Sequence, residues 1–559
     1  MTTSRPLGAV AVATAITLVL AACGANDQPA TQAGSDKAER GGTLRILSDG
    51  QTLNYDPAKS SNLAITSLAL VHRRLTGWLN KPGEQTKVVP DLADTGKTTD
   101  GGKTWTFKLQ DGLKFSDGSP ITSADVKWGI ERSFAPAFSG GLGYHKQLLE
   151  GGGDYRGPFE GAELKSIETP DNTTITFHLA RPYGDWPWVV STPAFAPVPK
   201  GKGAEPDYGE HPVASGPYQI TKYQKGVEAH LTRNTNWSTD KDQVRAGLPD
   251  EVVFQLGQDA SVISQRLAAD SGDDKFAFGS SFVSPAQLAQ LSSNPSAKSR
   301  VVTSKSGALA YLSLNTTKAP FDNLKVRQAI QYAVDRTSFQ IASAGNADLA
   351  GAVATTLITE GIEGREKFDL YPTQPAGEPE KAKKLLAEAG FPNGITGLDF
   401  LVQQGNNFPE KAQSLQASLA KAGIQATIRT VDGDSYQTET TGEKADYSLT
   451  LSSWQPDFPS ANSNIQPLFA SSEIGNGGYN VSRYRNPEVD KAIEEAQATV
   501  DPVEAGKKWA ALDKKILGDA PIVPLIYTRN SFLHGSKVAN FFIADFPAYP
   551  NYLQVGLTK

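Results

Sequence analysis

Cysteine and histidine are the side chains best suited to act as nucleophiles, bases or metal ligands near neutral pH. This chain holds few of them. Its 559 residues contain one cysteine, Cys23, and six histidines: His72, His145, His178, His211, His230 and His534. The histidines are scattered, with no H-E-x-x-H or comparable metal spacing. No G-x-S-x-G supplies a nucleophile elbow. Gly102-Lys103-Thr104 has the ending of a phosphate-binding loop, but Lys97 stands where the loop needs its first glycine. The residues that follow alternate like a strand, so the helix N-terminus that would cradle phosphate is missing. Carboxylates are abundant, without a pair identifiable as acid and base. The pattern points to binding rather than catalysis, so no enzymatic activity, cofactor or metal is expected.

Cys23 has a chemistry of its own. It follows an apolar run from Leu7 to Ala22, broken only by Gly8, Thr14 and Thr17, with Arg5 ahead of it. A positive head, a short apolar core and small residues at the end describe a secretory signal peptide. The run is shorter than the roughly 20 residues a spanning helix needs. Leu20-Ala21-Ala22-Cys23 resembles a bacterial lipobox, in which the thiol receives diacylglycerol and becomes the new N-terminus. Residues 1–22 are therefore expected to be a lipoprotein signal peptide, with Cys23 lipidated. Everything after it is expected outside the cytoplasm, anchored to the bacterial cell membrane on its periplasmic or cell-surface side. Residues 24–40 contain no large apolar side chain. Such a segment cannot offset its ordering entropy by burial, so 23–42 is read as a flexible linker.

The rest must fold on burial alone, since no disulfide remains available. Eight Trp, 23 Phe and 17 Tyr supply large apolar faces. Lys+Arg is 54 and Asp+Glu 60, a formal net charge of −6, which gives no basic excess for nucleic acid. At this length two or three lobes are expected rather than one core.

Several segments carry clear periodicity. Thr43 to Leu47 reads as an opening strand and Leu63 to Leu75 as a helix. Thr104 to Leu109 alternates with Trp105, Phe107 and Leu109 on one face, as does Thr173 to Leu179. Thr122 with Asp125 three residues on resembles a capping box ahead of Val126, Ile130 and Phe134. A Pro-rich stretch, 182–212, reads as loop and a lobe boundary. Further on, Asn323 caps a helix with the stripe Val326, Ala329, Ile330, Ala333 and Val334. Helices Pro379 to Ala389 and Pro409 to Ala422 each stop at glycine and lead into a strand candidate, an alternation that argues for an α/β lobe.

In order along the chain, several stretches resemble the peptide- and nickel-type solute-binding proteins of ABC importers, extracellular solute-binding family 5. They are Asn54-Tyr55-Asp56-Pro57, Val88-Val89-Pro90-Asp91-Leu92, Asp100 through Leu109, Gly112 through Gly118, Ser215-Gly216-Pro217-Tyr218, Pro320 through Ala329 and Ala520 through Leu525. The resemblance implies an α/β, two-lobed periplasmic-binding-protein-like fold of type II, with an extra subdomain in lobe I. By that analogy lobe I comprises roughly 43–60, 211–300 and 515–559, the inserted subdomain 61–210, and lobe II 301–514.

The same resemblance implies the function: a monomeric receptor that captures a short peptide or peptide-like solute by hinge closure. It would deliver this cargo to an ABC permease with its ATPase subunits. Alternatives are a nickel chelate, an oligosaccharide or a peptide-like signal; a secreted hydrolase lacks its constellation. In peptide-binding members an aspartate shortly after a tryptophan pairs with the ligand's ammonium, and Trp454-Gln455-Pro456-Asp457 fits that pattern. The alternative is a solvated loop aspartate after a core tryptophan. Tyr479, Asn480, Tyr55 and Asp56 are further expected cleft residues. Some oligopeptide binders carry an arginine three residues before that tryptophan; Leu451 stands there instead.

Overall fold

The alternation that starts at Thr43 becomes the strand Thr43–Leu47, with Leu44 and Ile46 buried. Glu251–Gln255 and Ala277–Gly279 flank it in parallel. Glu228–Arg233 and Tyr218–Gln224 extend the sheet antiparallel, to five strands in all. The computed structural model describes residues 37–138, 140–159, 163–405, 407–475 and 477–559. The expected signal peptide, Cys23 and most of the linker lie outside the described residues. Among the described residues no helix is long and apolar enough to cross a membrane.

Between the first and second strands of this sheet the chain builds a separate layer. Thr104–Lys108 pairs antiparallel with Thr174–His178. Trp105, Phe107, Ile175 and Phe177 share one buried face, and Val126 and Ile130 of the helix Ser123–Arg132 pack into the same core. Thr122 starts that helix, its backbone N–H donating to Asp125 Oδ2 at 2.8 Å and its hydroxyl at 2.6 Å. The expected helix over Leu63–Leu75 is helical only over Ser67–Val71. The residues after it are drawn into a buried ion network instead. Arg73 Nε lies 2.7 Å from Asp91 Oδ1, and Arg245 Nη1 lies 3.0 Å from Asp91 and 3.1 Å from Asp242. Burial opposes ionisation of Asp91, but Arg245 and Arg73 hold its carboxyl below the usual range. The network bonds the first segment of the inserted layer to 242–245.

A second, six-stranded sheet has the order Gly351–Val353, Ile522–Thr528, Leu309–Leu314, Leu449–Trp454, Ile395–Gln403, Ile424–Val431. The stripe Val326, Ala329, Ile330 and Ala333 of helix Leu324–Ala333 packs on one face. Ala382 and Leu386 of Pro379–Glu388 and Ala412, Leu415 and Leu419 of Phe408–Lys421 join the same core.

The chain crosses between the two sheets twice. Val301–Thr303 pairs antiparallel with Ser531–Leu533. Ser304 N donates to Asn530 O at 2.9 Å, Asn530 N to Ser304 Oγ at 3.0 Å, and Thr528 N to Ala308 O at 2.9 Å. Two adjoining extended segments of this kind let two bodies rotate while staying attached. The fold is a two-lobed periplasmic-binding-protein type. One expected boundary is corrected. The return to lobe I does not start at 515, because Ile522–Thr528 is hydrogen-bonded between Leu309–Leu314 and Gly351–Val353 in the lobe II sheet. The crossover follows it, at Arg529–Asn530.

Candidate ligand cleft

The strand Leu449–Trp454 buries Leu449 and Leu451 in the lobe II core and carries Trp454 at its end. Leu309–Leu314 pairs along its whole length on one side. On the other side Ile395–Gln403 pairs only at Leu449 and Thr450. Among the described residues, Leu451–Trp454 therefore presents an edge with no strand beside it. Tyr436 partly fills the gap, its hydroxyl donating to Leu451 O at 2.9 Å and standing 2.9 Å from Ser452 Oγ.

Two cavities open along this edge. One, of about 230 Å³, is lined by Gln403, Tyr436, Ser452, Trp454 and Tyr479, among others. The other, of about 260 Å³, shares Phe408, Leu451, Ser452 and Ser453 with it and runs to the crossover at Thr528–Ser531. Its far wall comes from lobe I, where Phe282, 46% exposed, is held against Phe532 and Tyr549. The pair forms an interlobe cleft.

Asp457 lies three residues beyond Trp454. Tyr144 of the inserted layer donates its hydroxyl to Asp457 Oδ2 at 2.5 Å, and its ring meets Phe458 edge-on at 5.3 Å. Among the described residues no lysine, arginine or histidine forms an ion pair with this carboxylate. Burial pushes the Asp457 carboxyl above its ordinary range, against the opposing pull of the Tyr144 hydrogen bond. Nearby, Ser460 Oγ donates to Asp185 Oδ2 at 2.5 Å, Asn462 Nδ2 to Tyr183 Oη at 2.6 Å, and Gly184 N to Gln497 O at 2.7 Å. The inserted layer thus docks on lobe II beside Asp457.

The structure brings Trp454 and Tyr479 together, ring centroids 5.1 Å apart, both lining the cleft. Trp454 is fixed by its Nε1, which donates to Ser463 O at 2.7 Å. Gln455, half-buried, links Trp454 to the turn carrying Asp457. Asn480 is buried, its side-chain amide donating to Ala470 O and Tyr484 O, so it holds the turn under Tyr479 rather than facing the cavity. Tyr55 and Asp56 are corrected as cleft residues, because both are sealed inside lobe I. Asp56 caps the turn at Ala58 and pairs with buried Arg132 at 3.1 Å. Tyr144, Tyr436, Phe282 and Phe408 were not expected. Tyr144 reaches Asp457 from 313 positions away, and no local pattern marks it.

The chemistry available is capture. Ser133 Oγ and His145 Nε2 are 2.7 Å apart, but both residues are buried and burial pulls His145 down to about 3, too weak a base for nucleophile activation. Among the described residues no cluster of three or more His, Cys, Asp or Glu is placed to hold a metal ion.

Residues 87–476 match the family described as bacterial extracellular solute-binding proteins, family 5 Middle. The chain belongs to this family. The family 5 chain is similar to the solved clavulanic acid biosynthesis oligopeptide binding protein 2, at 30% identity and TM-score 0.87, covering 95% of this chain and 99% of that one. It is 27% identical over 462 residues to the glutathione-binding protein GsiB of Escherichia coli O1:K1 / APEC, 81% of this chain and 83% of the relative. The oligopeptide-binding protein AppA of Bacillus subtilis, solved with a nonapeptide, shares the fold at 22% identity and TM-score 0.66, covering 94% and 100% of the two chains. These are binding proteins by name, and family 5 members are extracellular.

Proposed function

We propose that this family 5 protein captures short peptides in the interlobe cleft and hands them to an ABC permease driven by its ATPase subunits. The carrying observation is Asp457, a mostly buried carboxylate that, among the described residues, has no cationic partner and stands beside a strand edge with no neighbouring strand. A peptide satisfies both needs. Its ammonium supplies the charge that an enclosed carboxylate lacks. Its main chain adds to the open edge at Leu451–Trp454 as an extra strand, and Trp454 and Tyr479 line room for a side chain. Tyr144 keeps Asp457 hydrogen-bonded while the site is empty. Relatives named for oligopeptides and for glutathione support the reading, since both ligands carry an ammonium and amide groups.

A ligand touching Phe282 of lobe I and Ser453 of lobe II favours the closed arrangement by its differential affinity. The crossover pairs let that closure occur. Cys23, lipidated, tethers the receptor to the membrane through the 23–42 linker. Native mass spectrometry of ligand-stripped protein tests the proposal. Offered di- to pentapeptides, glutathione, a nickel–histidine chelate and oligosaccharides, it is expected to retain peptide masses unchanged. Retention of only the chelate or the sugars, or recovery of cleaved peptide, contradicts it.

A further inference from the structure

A guanidinium without a carboxylate is sealed inside the protein at Arg74. The residue is 1% exposed, and among the described residues it forms no ion pair. Its Nη1 donates to Ala64 O at 3.4 Å, while its Nε and Nη2 are buried with no protein acceptor. Burial and the nearby Arg245 pull it down to about 9, so it stays charged at neutral pH. A buried charge and buried N–H donors both destabilise a fold unless something pairs with them.

The carboxylates close enough to serve Arg74 are taken. Asp91 Oδ1 accepts from Arg73 Nε at 2.7 Å and from Arg245 Nη1 at 3.0 Å, and its Oδ2 accepts the Arg74 backbone N–H at 3.1 Å. Asp242 accepts from Arg245 Nη1 at 3.1 Å, from Trp237 Nε1 at 2.9 Å and from the backbone N–H groups of Val244 and Arg245. Arg132 is matched separately by Asp56. His72, pulled down to about 3 by burial, adds no charge. Three guanidiniums, of Arg73, Arg74 and Arg245, therefore stand against two carboxylates, Asp91 and Asp242, in one buried cluster. One positive charge is left over, and it belongs to the side chain whose N–H groups lack acceptors. Water would accept from those groups but leave the charge; an anion answers both needs. Arg74 lines neither cleft cavity, so this anion is not the carboxylate of the peptide.

We propose that Arg74 holds a small monovalent inorganic anion of the halide class, bound at its Nε and Nη2. The single charge follows from the cluster's excess of one, and the small size from the sealing of the side chain. The inference is independent of the peptide reading. The anion sits where Ala64 and Arg74 of the inserted layer meet Arg245 of lobe I. Beside Ala64, Ile65 O accepts from Tyr552 N at 3.0 Å, in the closing segment of lobe I. Halide therefore stabilises the attachment of the inserted layer to lobe I.

The test compares thermal midpoints of the full-length protein, exhaustively dialysed, in sodium chloride and in sodium gluconate at equal ionic strength. Chloride is expected to raise the midpoint saturably, by about 2 °C or more. Arg74→Met keeps the length of the side chain and removes its charge and donors, and in it the chloride-specific rise is expected to vanish. The difference between the two salts is read within each protein, so a general change of stability does not mimic the effect. Should Arg74→Met not fold, crystals of the unaltered protein grown in bromide decide, through an anomalous peak expected within about 3.5 Å of Arg74 Nε or Nη2. Absence of the chloride-specific rise overturns the inference. So does its persistence in Arg74→Met, and so do bromide crystals with no anomalous peak beside Arg74.

Discussion

Tyr144 and Asp457, on different parts of the chain, share a 2.5 Å hydrogen bond that joins the inserted layer to lobe II three residues beyond Trp454. The bond supplies Asp457 with a neutral donor where an enclosed carboxylate ordinarily has a cation. Exchange of one for the other is the physical core of the capture mechanism proposed above.

Asp457→Asn keeps the shape and removes the charge. Leaving a ligand ammonium enclosed without its partner costs about 3–5 kcal/mol, which is roughly 100-fold or more in affinity. Tyr144→Phe removes one hydrogen bond and is expected to change affinity by about tenfold or less. Calorimetry with one tight-binding peptide ranks the two; equal effects would show that the carboxylate charge is not what is recognised.

Gly184 marks how closely the inserted layer approaches lobe II. A Cβ built there would stand 2.1 Å from Thr499 O. Gly184→Ala therefore has to push the 183–185 contact away from lobe II, at a cost of about 1–3 kcal/mol. A lower thermal midpoint with an unchanged circular dichroism spectrum is expected. An unchanged midpoint would mean that the docking contributes little to stability.

The network around Asp91 predicts a larger effect. Asp91→Ala leaves Arg73 and Arg245 buried without their shared carboxylate, which destabilises by about 3–5 kcal/mol. Urea unfolding followed by tryptophan fluorescence reads this directly. A loss below about 1 kcal/mol would show that solvent reaches the cluster.

Acid sensitivity follows from histidines held neutral in the fold. Burial pulls His72 and His145 down to about 3 and His534 to about 4. The unfolded chain takes up these protons below its ordinary histidine pKa of about 6.5 and the native state does not, so their contribution falls as pH drops from there toward 4. Raised carboxyls such as Asp513, pushed up to about 7 by burial, act with the opposite sign. The clean readout is therefore the difference in slope between the unaltered protein and His145→Gln. The variant is expected to lose about one proton's worth of the acid decline; an identical slope would place His145 in contact with solvent.

Much of the fold was readable where periodicity is local. Strand Thr43–Leu47, the Thr122–Asp125 cap and helix Leu324–Ala333 follow from residues within one or two turns of each other. Leu63–Leu75 misled because its apolar residues read locally as a helix, whereas the distant carboxylates Asp91 and Asp242 decide Arg73's position. The boundary at 515 failed for a similar reason. The apolar run Ile522–Tyr527 fits either lobe, and only its pairing with Leu309–Leu314 assigns it. In the cleft, Trp454, Asp457 and Tyr479 could be picked out near one strand end, but Tyr144, Phe282 and Arg529 arrive from other elements. Tyr55 and Asp56 carried the family pattern because they fold lobe I.

The most direct test of peptide capture at Asp457 is a calorimetric titration of the unaltered protein with one tetrapeptide bearing a free amino terminus and with its N-acetylated form. The account predicts that the free form binds and that acetylation weakens binding by roughly 100-fold or more. Equal affinity for the two would contradict it, because no cation would then be needed at the carboxylate that Tyr144 holds.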